Sequence, residues 1–209
     1  GTMFNRGFEI QISGDVIQTR NFNWNSTLNL STVHNEITKL PEGQGEIVDG
    51  TKKLQRGHSI YDFWLYEYAG VDPATGDALF YKGGYKTDDK GEFVYDDYGC
   101  KIFDPSIKRE TTNDYTKADK YYVGTSIPKV YGSWSNTFAY KGLELSILLT
   151  YSLGGKKYDS TYANFMSTGS LGSAFHKDLV NSWHQAGDVT DIPRIDMGRD
   201  SYLNPGSST

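Results

Sequence analysis

The sequence predicts an all-β fold of antiparallel strands, and three observations support this prediction. First, the 209 residues include 16 tyrosines and 23 glycines but only 37% hydrophobic residues, a composition that favours strands and turns over packed helices. Second, four segments alternate apolar and polar side chains, which is the period of a strand with one apolar face. Third, these segments come in two pairs with short connections, as antiparallel hairpins do.

The first pair of segments covers about residues 8–18 and 22–33. The connection near Arg20 is only a few residues long, so the two strands are predicted to form a hairpin. The apolar face consists of Phe8, Ile10, Ile12, Gly14 and Val16 in the first strand and of Phe22, Trp24, Leu28 and Leu30 in the second.

The second pair covers about residues 129–140 and 143–153, around a two-residue turn at 141–142. This turn fixes which residues face each other, and apolar residues then face apolar residues along the hairpin. The facing pairs are Tyr140 with Leu143, Phe138 with Leu145, and Trp134 with Leu149.

Strand length bears on where such a sheet could lie. Strands of about 11 residues, at ~3.3 Å per residue and tilted near 45°, span roughly 25 Å, which is the height of the lipid-facing band of an outer-membrane barrel. Aromatic residues also cluster near the strand ends, where barrels carry aromatic girdles. A half-buried strand of a soluble β-sandwich gives the same alternation, so periodicity alone leaves both architectures open.

A polar stretch of roughly ninety residues, from Glu36 to Pro128, separates the two hairpins. Short turns on one side of a sheet and a very long connection on the other are typical of outer-membrane barrels. The predicted fold class is therefore all-β, with antiparallel strands forming part of a transmembrane β-barrel. It includes a long external loop region at about 36–127 and a second loop or tail at 154–209.

Local patterns predict some order within these two connecting regions. Ile60–Tyr68 is rich in aromatic residues and reads as a strand, with Ala78–Tyr81 as its hairpin partner. A short helix is expected at about Ser173–His184, and the end of the chain from Asn204 to Ser207 has no packing signal.

Composition and motifs exclude several classes of function. The net charge of −5 provides no basic face for nucleic acid. The one cysteine, Cys100, excludes an internal disulfide and a cysteine-based zinc cluster, and we expect a buried or reduced thiol there. No apolar run approaches the ~18 residues of a transmembrane helix, and any signal peptide is expected outside the chain. Neither a nucleophile motif nor an acid–base carboxylate pair is apparent, so the sequence predicts no enzyme and no cofactor.

Blocks of sequence spread over nearly the whole chain carry a more specific signal. They are residues 5–9, 66–77 (with Val-Asp-Pro-Ala-Thr-Gly-Asp), 124–132 (Gly-Thr-Ser-Ile-Pro-Lys-Val-Tyr-Gly), 136–138, 140–146, 151–159 (with Gly-Gly-Lys) and Trp183 with 187–194 (Gly-Asp-Val-Thr-Asp-Ile-Pro-Arg). One such block would mean little. Together, and in this order, they resemble the late barrel of the SusC/RagA-type TonB-dependent outer-membrane transporters.

The resemblance implies a fragment of the C-terminal half of a large barrel that a plug domain closes. The expected location is the outer membrane of a Gram-negative, Bacteroidetes-like bacterium. The expected partners are a SusD-like surface lipoprotein and the TonB energy-coupling system, and the substrate is a glycan or a peptide. The plug, the TonB box and the early strands are expected outside this chain, so it is not expected to transport alone.

Five aromatic residues near the start of the long connection form the candidate ligand site. Tyr61, Trp64, Tyr66 and Tyr68, together with Phe63, could stack on the faces of sugar rings from an external loop. They could equally cover the neighbouring hairpin at the rim of a barrel, and the sequence leaves this second interpretation open.

Metal binding is not predicted. Asp88, Asp89, Glu92, Asp96 and Asp97 offer oxygen ligands, but their spacing does not fit an EF-hand loop, so a solvated acidic loop is favoured over a calcium site. The four histidines include no pair at the i, i+4 spacing that helical zinc sites use.

The function predicted from these observations is a segment of a TonB-dependent importer of glycans or other oligomeric nutrients. Its polar face would line the passage, through Asn23, Asn25, Asn29, Ser133, Ser135, Glu144 and Ser146. The alternative is a secreted carbohydrate-binding β-sandwich, and a β-rich glycosidase has no support beyond abundant carboxylates. Since a piece of a barrel has two unpaired edges and an uncovered apolar face, the isolated fragment is expected to self-associate.

Overall fold

The structure is a computed structural model that describes residues 1–167, 172, 174–195 and 207–208. Its strands are β1 (Thr2–Arg6), β2 (Glu9–Gln18), β3 (Phe22–Ser31), β4 (His34–Lys39), β5 (Glu46–Asp49), β6 (Lys52–Gln55), β7 (Asp62–Val71), β8 (Ala78–Lys82), β9 (Glu110–Thr112), β10 (Lys120–Thr125), β11 (Val130–Tyr140), β12 (Leu143–Leu153) and β13 (Ser207–Ser208). The all-β prediction is confirmed, and the strands of the described residues do not close a barrel. Among the described residues, none of the helices has the length and apolar character needed to cross a membrane.

The chain divides into two compact units. Unit 1 comprises Gly1–Pro41, Leu54–Tyr61 and Gly124–Lys157, and unit 2 comprises Glu42–Lys53, Asp62–Val123 and the described residues from Tyr158 onward.

Unit 1 contains a four-stranded antiparallel sheet in the order β12–β11–β3–β2. The predicted register of the second hairpin is confirmed, because Phe138 lies opposite Leu145 and Trp134 lies opposite Leu149. On its other side β11 pairs with β3, where Phe138 lies opposite Trp24. Strand β3 therefore joins the two predicted hairpins into one sheet, although about a hundred residues separate β3 from β11 in sequence.

The first hairpin departs from strict alternation at one point. The β2–β3 register shifts between Asp15 and Ile17, and this irregularity places Ile17 opposite Trp24. Strict alternation instead assigned Val16 to the apolar face. A β-bulge inserts one residue and reverses the alternation beyond it, which explains the difference.

A second, two-stranded ribbon in unit 1 pairs β1 with β4. The buried Asn35 connects this ribbon to the segment that leads toward β7: its Oδ1 accepts from the Ser59 hydroxyl at 2.7 Å and from the Ile60 N–H at 3.0 Å. Its amide donates to Asn5 Oδ1 at 2.8 Å. Since a buried amide is costly unless it is hydrogen-bonded, these contacts hold the segment in place.

Unit 2 is built around β7, which pairs with β6, β8, β10 and β13. The predicted hairpin of the 60–68 and 78–81 segments is present as β7 and β8. The buried hydrophobic side chains of this unit are Phe63, Leu65, Ala78, Phe80, Cys100, Tyr121 and Leu179. Much of the stretch predicted as a polar loop region is therefore folded, and aromatic residues supply much of its core. The extracellular position of these residues stays a prediction.

The helix expected at about Ser173–His184 is only a 3₁₀ turn, Lys177–Asn181. Position 173 and residues 204–206 lie outside the described residues. An α-helix, α1 (Ser160–Met166), precedes this region instead, and Asp159 caps it by accepting from the Tyr162 N–H at 2.8 Å. The cap satisfies one of the N–H groups that a helix start leaves unpaired, and helix periodicity does not reveal it.

Candidate functional site

One face of the four-stranded sheet is a ladder of hydrogen-bonded polar side chains. The register places the seven predicted passage-lining residues on this face. Hydrogen-bonded pairs of side chains connect adjacent strands. Each such bond replaces a hydrogen bond to water, so the pairing offsets part of the free-energy cost of removing these groups from water. The pairs are Asn25 with Asp15 at 3.0 Å, Ser13 with Thr27 at 2.8 Å, Asn29 with Ser133 at 3.1 Å and Thr137 with Ser146 at 3.2 Å.

The opposite face of the sheet is apolar and exposed. Leu145, in the middle of β12, leaves 58% of its surface uncovered, which is unusual for a leucine flanked by other apolar side chains. The exposed apolar residues of this face include Phe8, Ile10, Ile12, Trp134, Leu143, Ile147, Leu149 and Leu153.

Both indole N–H groups on this apolar face donate to side chains of the same face. Trp24 Nε1–H donates to the Asn136 side-chain oxygen at 3.0 Å, and Trp134 Nε1–H donates to the Ser26 hydroxyl at 2.8 Å. A polar group that faces hydrocarbon must find its partner within the protein, because lipid offers none. The face thus meets a requirement of a lipid-facing surface that alternation could not reveal.

Tyr151 fastens three strands of this sheet together. It lies opposite Gly132 on β11, and its hydroxyl crosses that glycine to donate to the Asn29 carbonyl of β3 at 2.6 Å. A Cβ on Gly132 would meet the Asn29 carbonyl and would lie 2.7 Å from the Tyr151 hydroxyl. The glycine therefore makes room for the aromatic side chain.

At one end of β11 and β12, two of the family-like sequence blocks interlock. The stem of Lys156 lies over Gly124, and the stem of Lys129 lies over Gly154. The Lys156 N–H donates to the Thr125 carbonyl at 2.7 Å, and the Lys129 N–H donates to the Leu153 carbonyl at 2.9 Å. The glycines and lysines of these two blocks are therefore spatial partners.

Two of the family-like sequence blocks in unit 2 also contact each other. The ring of Trp183 covers Gly76, where a Cβ would collide with it, and the indole N–H donates to the Pro73 carbonyl at 3.1 Å. The buried Asp77 accepts from Arg194 at 3.2 Å and from the Asn113 amide at 2.9 Å. The Val-Asp-Pro-Ala-Thr-Gly-Asp turn is thus held by the segment that contains Trp183 and Arg194.

The predicted aromatic ligand residues on β7 are partly covered by other side chains. Phe63 is buried on one face of β7, whereas Trp64, Tyr66 and Tyr68 share the other face and are half-buried. The ring of Trp64 packs edge-on against Tyr122 at 4.8 Å. The ammonium group of Lys53 lies 4.2 Å from the centre of the indole and is paired with Glu46.

The other two residues of this face are held from both sides. The fully buried Phe80 lies edge-on to Tyr66 and to Tyr68, at 6.4 and 6.1 Å. The Tyr68 hydroxyl donates to the Asp191 carbonyl at 2.9 Å. Burial raises the pKa of Tyr68, and the nearby Asp191 raises it further, so the phenol stays neutral and acts as a donor. Trp64, Tyr66 and Tyr68 form a rigid row, named here the β7 row.

Tyr61 belongs to unit 1 and is described separately. Its side chain is exposed, and its carbonyl accepts from the Ser126 N–H at 3.1 Å. The backbone at Tyr61 is therefore fixed while its ring remains accessible.

The acidic residues that the sequence offered as calcium ligands have structural partners. Asp88 Oδ1 accepts from the N–H groups of Lys90 and Glu92, and Asp96 Oδ1 accepts from those of Tyr98 and Cys100, each at 2.9 Å. Within the described ranges, no group of three or more histidine, cysteine, aspartate or glutamate residues has the arrangement of a metal site.

Cys100 is buried, and its thiol donates to the Gly45 carbonyl at 3.4 Å. Burial, together with the nearby Asp96 and Glu46, raises the pKa of this thiol. Because the thiolate is the reactive form of cysteine, this environment protects the residue from oxidation and alkylation.

Periodicity reasoning missed an eight-residue repeat in unit 2. The segments 85–92, 93–100 and 101–108 read Tyr-Lys-Thr-Asp-Asp-Lys-Gly-Glu, Phe-Val-Tyr-Asp-Asp-Tyr-Gly-Cys and Lys-Ile-Phe-Asp-Pro-Ser-Ile-Lys, with an aspartate at the fourth position of each. The eight-residue spacing of Asp88, Asp96 and Asp104 is the signal that could have revealed it.

The three copies pair with one another in a closed ring. Lys86 N–H donates to the Ile102 carbonyl, Ile102 N–H to the Val94 carbonyl, and Val94 N–H to the Lys86 carbonyl, at 2.9, 3.1 and 2.9 Å. Each aspartate side chain accepts N–H groups from its own turn, and Asp104 does so from Ser106 at 2.9 Å. Residues 85–108 are named here the three-way unit.

An antiparallel sheet with one exposed apolar face and one polar face is typical of the strands of outer-membrane β-barrels. No family model matches the chain. Among curated proteins it is 26% identical over 204 residues to "TonB-dependent receptor P3" of Formosa agariphila, covering 93% of this chain and 19% of that protein. It is also 26% identical over 166 residues to "TonB-dependent receptor SusC" of Bacteroides thetaiotaomicron, covering 78% of this chain and 15% of that protein.

The fold comparison agrees. The chain resembles a solved structure titled "Structure of the RagAB peptide transporter", with a TM-score of 0.72, 24% identity, and coverage of 96% of this chain and 21% of that one. The resemblance to SusC/RagA-type transporters is thus confirmed over most of the chain, and these relatives are receptors and transporters rather than enzymes. The chain spans about a fifth of the length of the relatives and structures that it matches.

Proposed function

We propose that this chain forms part of the barrel wall and external loops of a TonB-dependent importer of oligomeric nutrients in the outer membrane. The observation that carries the proposal is the four-stranded sheet, which has an exposed apolar face on one side and a hydrogen-bonded polar ladder on the other. In this role the apolar face contacts lipid and the polar ladder lines the passage.

The physical argument rests on the solvent that each face requires. At roughly 25 cal/mol per Å², a few hundred Å² of apolar surface left in water costs several kcal/mol, whereas lipid removes this penalty. A secreted β-sandwich would cover the same face with a second sheet, yet Leu145 and its neighbours are exposed. The indole N–H groups of Trp24 and Trp134 already have hydrogen-bond partners within the protein. This arrangement also favours lipid over water as the solvent of the apolar face.

The names of similar proteins bear on the class of substrate. One similar structure is titled a peptide transporter, and relatives are TonB-dependent receptors that include SusC. For this chain we propose a glycan or a peptide as the substrate, a SusD-like surface lipoprotein as the partner and TonB as the energy source. Tyr61 and the β7 row are the proposed ligand-contacting residues, since the Tyr61 ring is exposed on a fixed backbone and the rings of the β7 row are held by neighbours and partly exposed.

Site-directed spin labelling of the full-length protein in lipid nanodiscs tests the placement of the two faces. In a cysteine-free background that includes Cys100→Ser, Ile147→Cys and the adjacent Ser146→Cys provide a matched pair of single labels. We expect the label at 147 to collide with dissolved oxygen, which partitions into lipid, and the label at 146 to collide with a water-soluble nickel chelate.

Labels at 145 and 149 should behave like the label at 147, because strand neighbours alternate. Equal access of the nickel chelate to 146 and 147 would contradict the lipid-facing assignment and would favour the sandwich.

A further inference from the structure

The two short turns of the four-stranded sheet lie side by side at one end of it. The Lys141 N–H of the β11–β12 turn donates to the Asn21 carbonyl of the β2–β3 turn at 3.2 Å. The Thr19 hydroxyl holds its own turn, because it donates to the Phe22 carbonyl at 2.7 Å and accepts from the Phe22 N–H at 3.0 Å. The pair is named here the double turn and comprises residues 19–21 and 141–142.

A band of aromatic side chains borders the double turn on the apolar face of the sheet. The rings of Phe22 and Phe138 stack at a centroid distance of 6.5 Å, and those of Trp24 and Phe138 stack at 5.6 Å. Tyr140 lies opposite Phe22 and completes the band. Aromatic side chains concentrate where a membrane meets water, so the band marks the level at which a lipid-facing surface ends.

The double turn carries two positive charges. Arg20 and Lys141 are exposed, and they are the only charged residues in segments 16–24 and 137–143. Within the part of the chain that the structure describes, no carboxylate pairs with either of these two side chains. Two unpaired cations in adjoining turns create a positive potential, which attracts an anion.

The local geometry places these charges beside the aromatic band. The Lys141 ammonium lies 5.3 Å from the centre of the Tyr140 ring, on the apolar side of the sheet. Arg20 is the neighbour of Asn21, whose carbonyl accepts from the Lys141 N–H. Glu144 lies on the polar face, so its carboxylate is directed away from the band.

We propose that the double turn binds the phosphate of an anionic phospholipid whose acyl chains lie along the apolar face. The Lys141 ammonium and the Arg20 guanidinium donate to the phosphate oxygens. The chains contact Leu143 and Leu145, which are 76% and 58% exposed. This inference rests on the proposed lipid-facing sheet and identifies a class of lipid for one end of it.

Two features favour this ligand over the alternatives. A lipid fits better than a protein, because the cations adjoin an apolar surface that continues along strands of bilayer height. A headgroup with a net negative charge fits better than a zwitterionic one, because Arg20 and Lys141 repel the cation of the zwitterion.

Fluorescence quenching by brominated lipids tests the site in the full-length protein reconstituted into vesicles. In the cysteine-free background, a bimane label at Leu143→Cys reports on the lipid beside the double turn. The quenchers are phosphatidylglycerol and phosphatidylcholine, each brominated near the start of its acyl chains. We expect phosphatidylglycerol to be preferred at 143 by roughly tenfold, and the preference should shrink at high salt.

Charge variants assign this preference to the two side chains. Lys141→Gln and Arg20→Gln should each lower it by roughly threefold to fivefold, as the loss of one cation at an anionic surface does. Lys141→Arg and Arg20→Lys keep the charge and should retain the preference. Lys157→Gln removes an exposed lysine beyond the other end of β12 and should leave it unchanged.

A second label separates a local site from a general effect of membrane charge. Quenching at Leu153→Cys, at the other end of β12, should not respond to Arg20→Gln or Lys141→Gln. Equal quenching by the two lipids at 143, a preference that survives both glutamine variants, or an equal response at 153 would overturn the phosphate site. Absence of quenching by either lipid would also overturn the lipid-facing sheet, so the two proposals fail distinguishably.

Discussion

The sheet of unit 1 and the β-rich unit 2 are made of similar strands, but they place their apolar side chains differently. In unit 1 the apolar residues of β2, β3, β11 and β12 lie on a face that is largely exposed. In unit 2 apolar residues of β7 and β8 are buried, with Phe63 and Leu65 on one face of β7 and Phe80 against the other face. Alternation defines which side chains share a face, but it does not determine whether anything covers that face.

The comparison also explains how a segment with few aliphatic residues can fold. Unit 2 builds its core from aromatic rings that meet edge to face, such as Tyr66, Tyr68 and Phe80. Aromatic side chains bury large areas each, so a small number of them can form a core within a chain that reads as polar.

The largest expected effect concerns the exposed face of unit 1 in water. The isolated 209-residue chain should associate without detergent, because the uncovered apolar stripe and the two open sheet edges together cost several kcal/mol. Size-exclusion chromatography with light scattering should report a mass above that of the 23.4 kDa monomer. A stable monomer in detergent-free buffer would mean that the stripe is covered, and the contrast between the units would disappear.

Two leucines, one in each unit, test how far protein covers the apolar side chains of that unit. Leu65 in unit 2 is 6% exposed, and Leu145 in unit 1 is 58% exposed. We expect Leu65→Ala to lower the opening free energy of unit 2 by about 2–5 kcal/mol, as cavities in packed cores do. Hydrogen–deuterium exchange of the β7 amides in the full-length protein measures this effect.

Leu145→Ala is the control for this experiment, and in the same measurement we expect the β12 amides to change by less than about 1 kcal/mol, since the site is not packed by protein. Equal effects at the two positions would show that protein covers the face of unit 1.

A smaller effect is expected at the glycine beneath Tyr151. Gly132→Ala forces β11 away from the Asn29 carbonyl, and overpacking of this kind costs about 1–3 kcal/mol. Thermal unfolding of the full-length protein in detergent should show a lower midpoint. Gly142→Ala is not a matched control because that glycine adopts φ 88°, whereas Gly14→Ala is suitable, since a Cβ added at Gly14 would meet nothing within 4 Å.

The smallest effect concerns Cys100. Since burial raises the pKa of this thiol in the folded state, the folded form retains its proton where the unfolded form has lost it. The contribution of this group to stability is therefore present below the ordinary thiol pKa and declines as the pH rises above it. Reaction with a thiol-specific disulfide reagent at about pH 8, near the ordinary thiol pKa, should be slow in the native protein and fast after unfolding, and rapid native labelling would contradict the burial.

The alternation of apolar and polar residues was sufficient to predict much of the strand pairing in unit 1. The alternation of residues 130–140 and 143–153, with a two-residue turn between them, determines the register of that hairpin because strand side chains repeat every two residues. The β-bulge near Ile17 was not predictable in this way, since an inserted residue breaks the repeat that the reasoning depends on.

The sequence by itself therefore determined the strand type, the polar and apolar faces and the register of the β11–β12 hairpin, because these follow from neighbours along the chain. The tertiary structure alone decided that β3 pairs with β11, that Trp183 covers Gly76 and that three eight-residue copies close into a ring. These contacts join residues that are far apart in sequence or depend on three segments at once. These contacts are stabilised by packing and hydrogen bonding between segments, which the local periodicity of apolar residues does not predict.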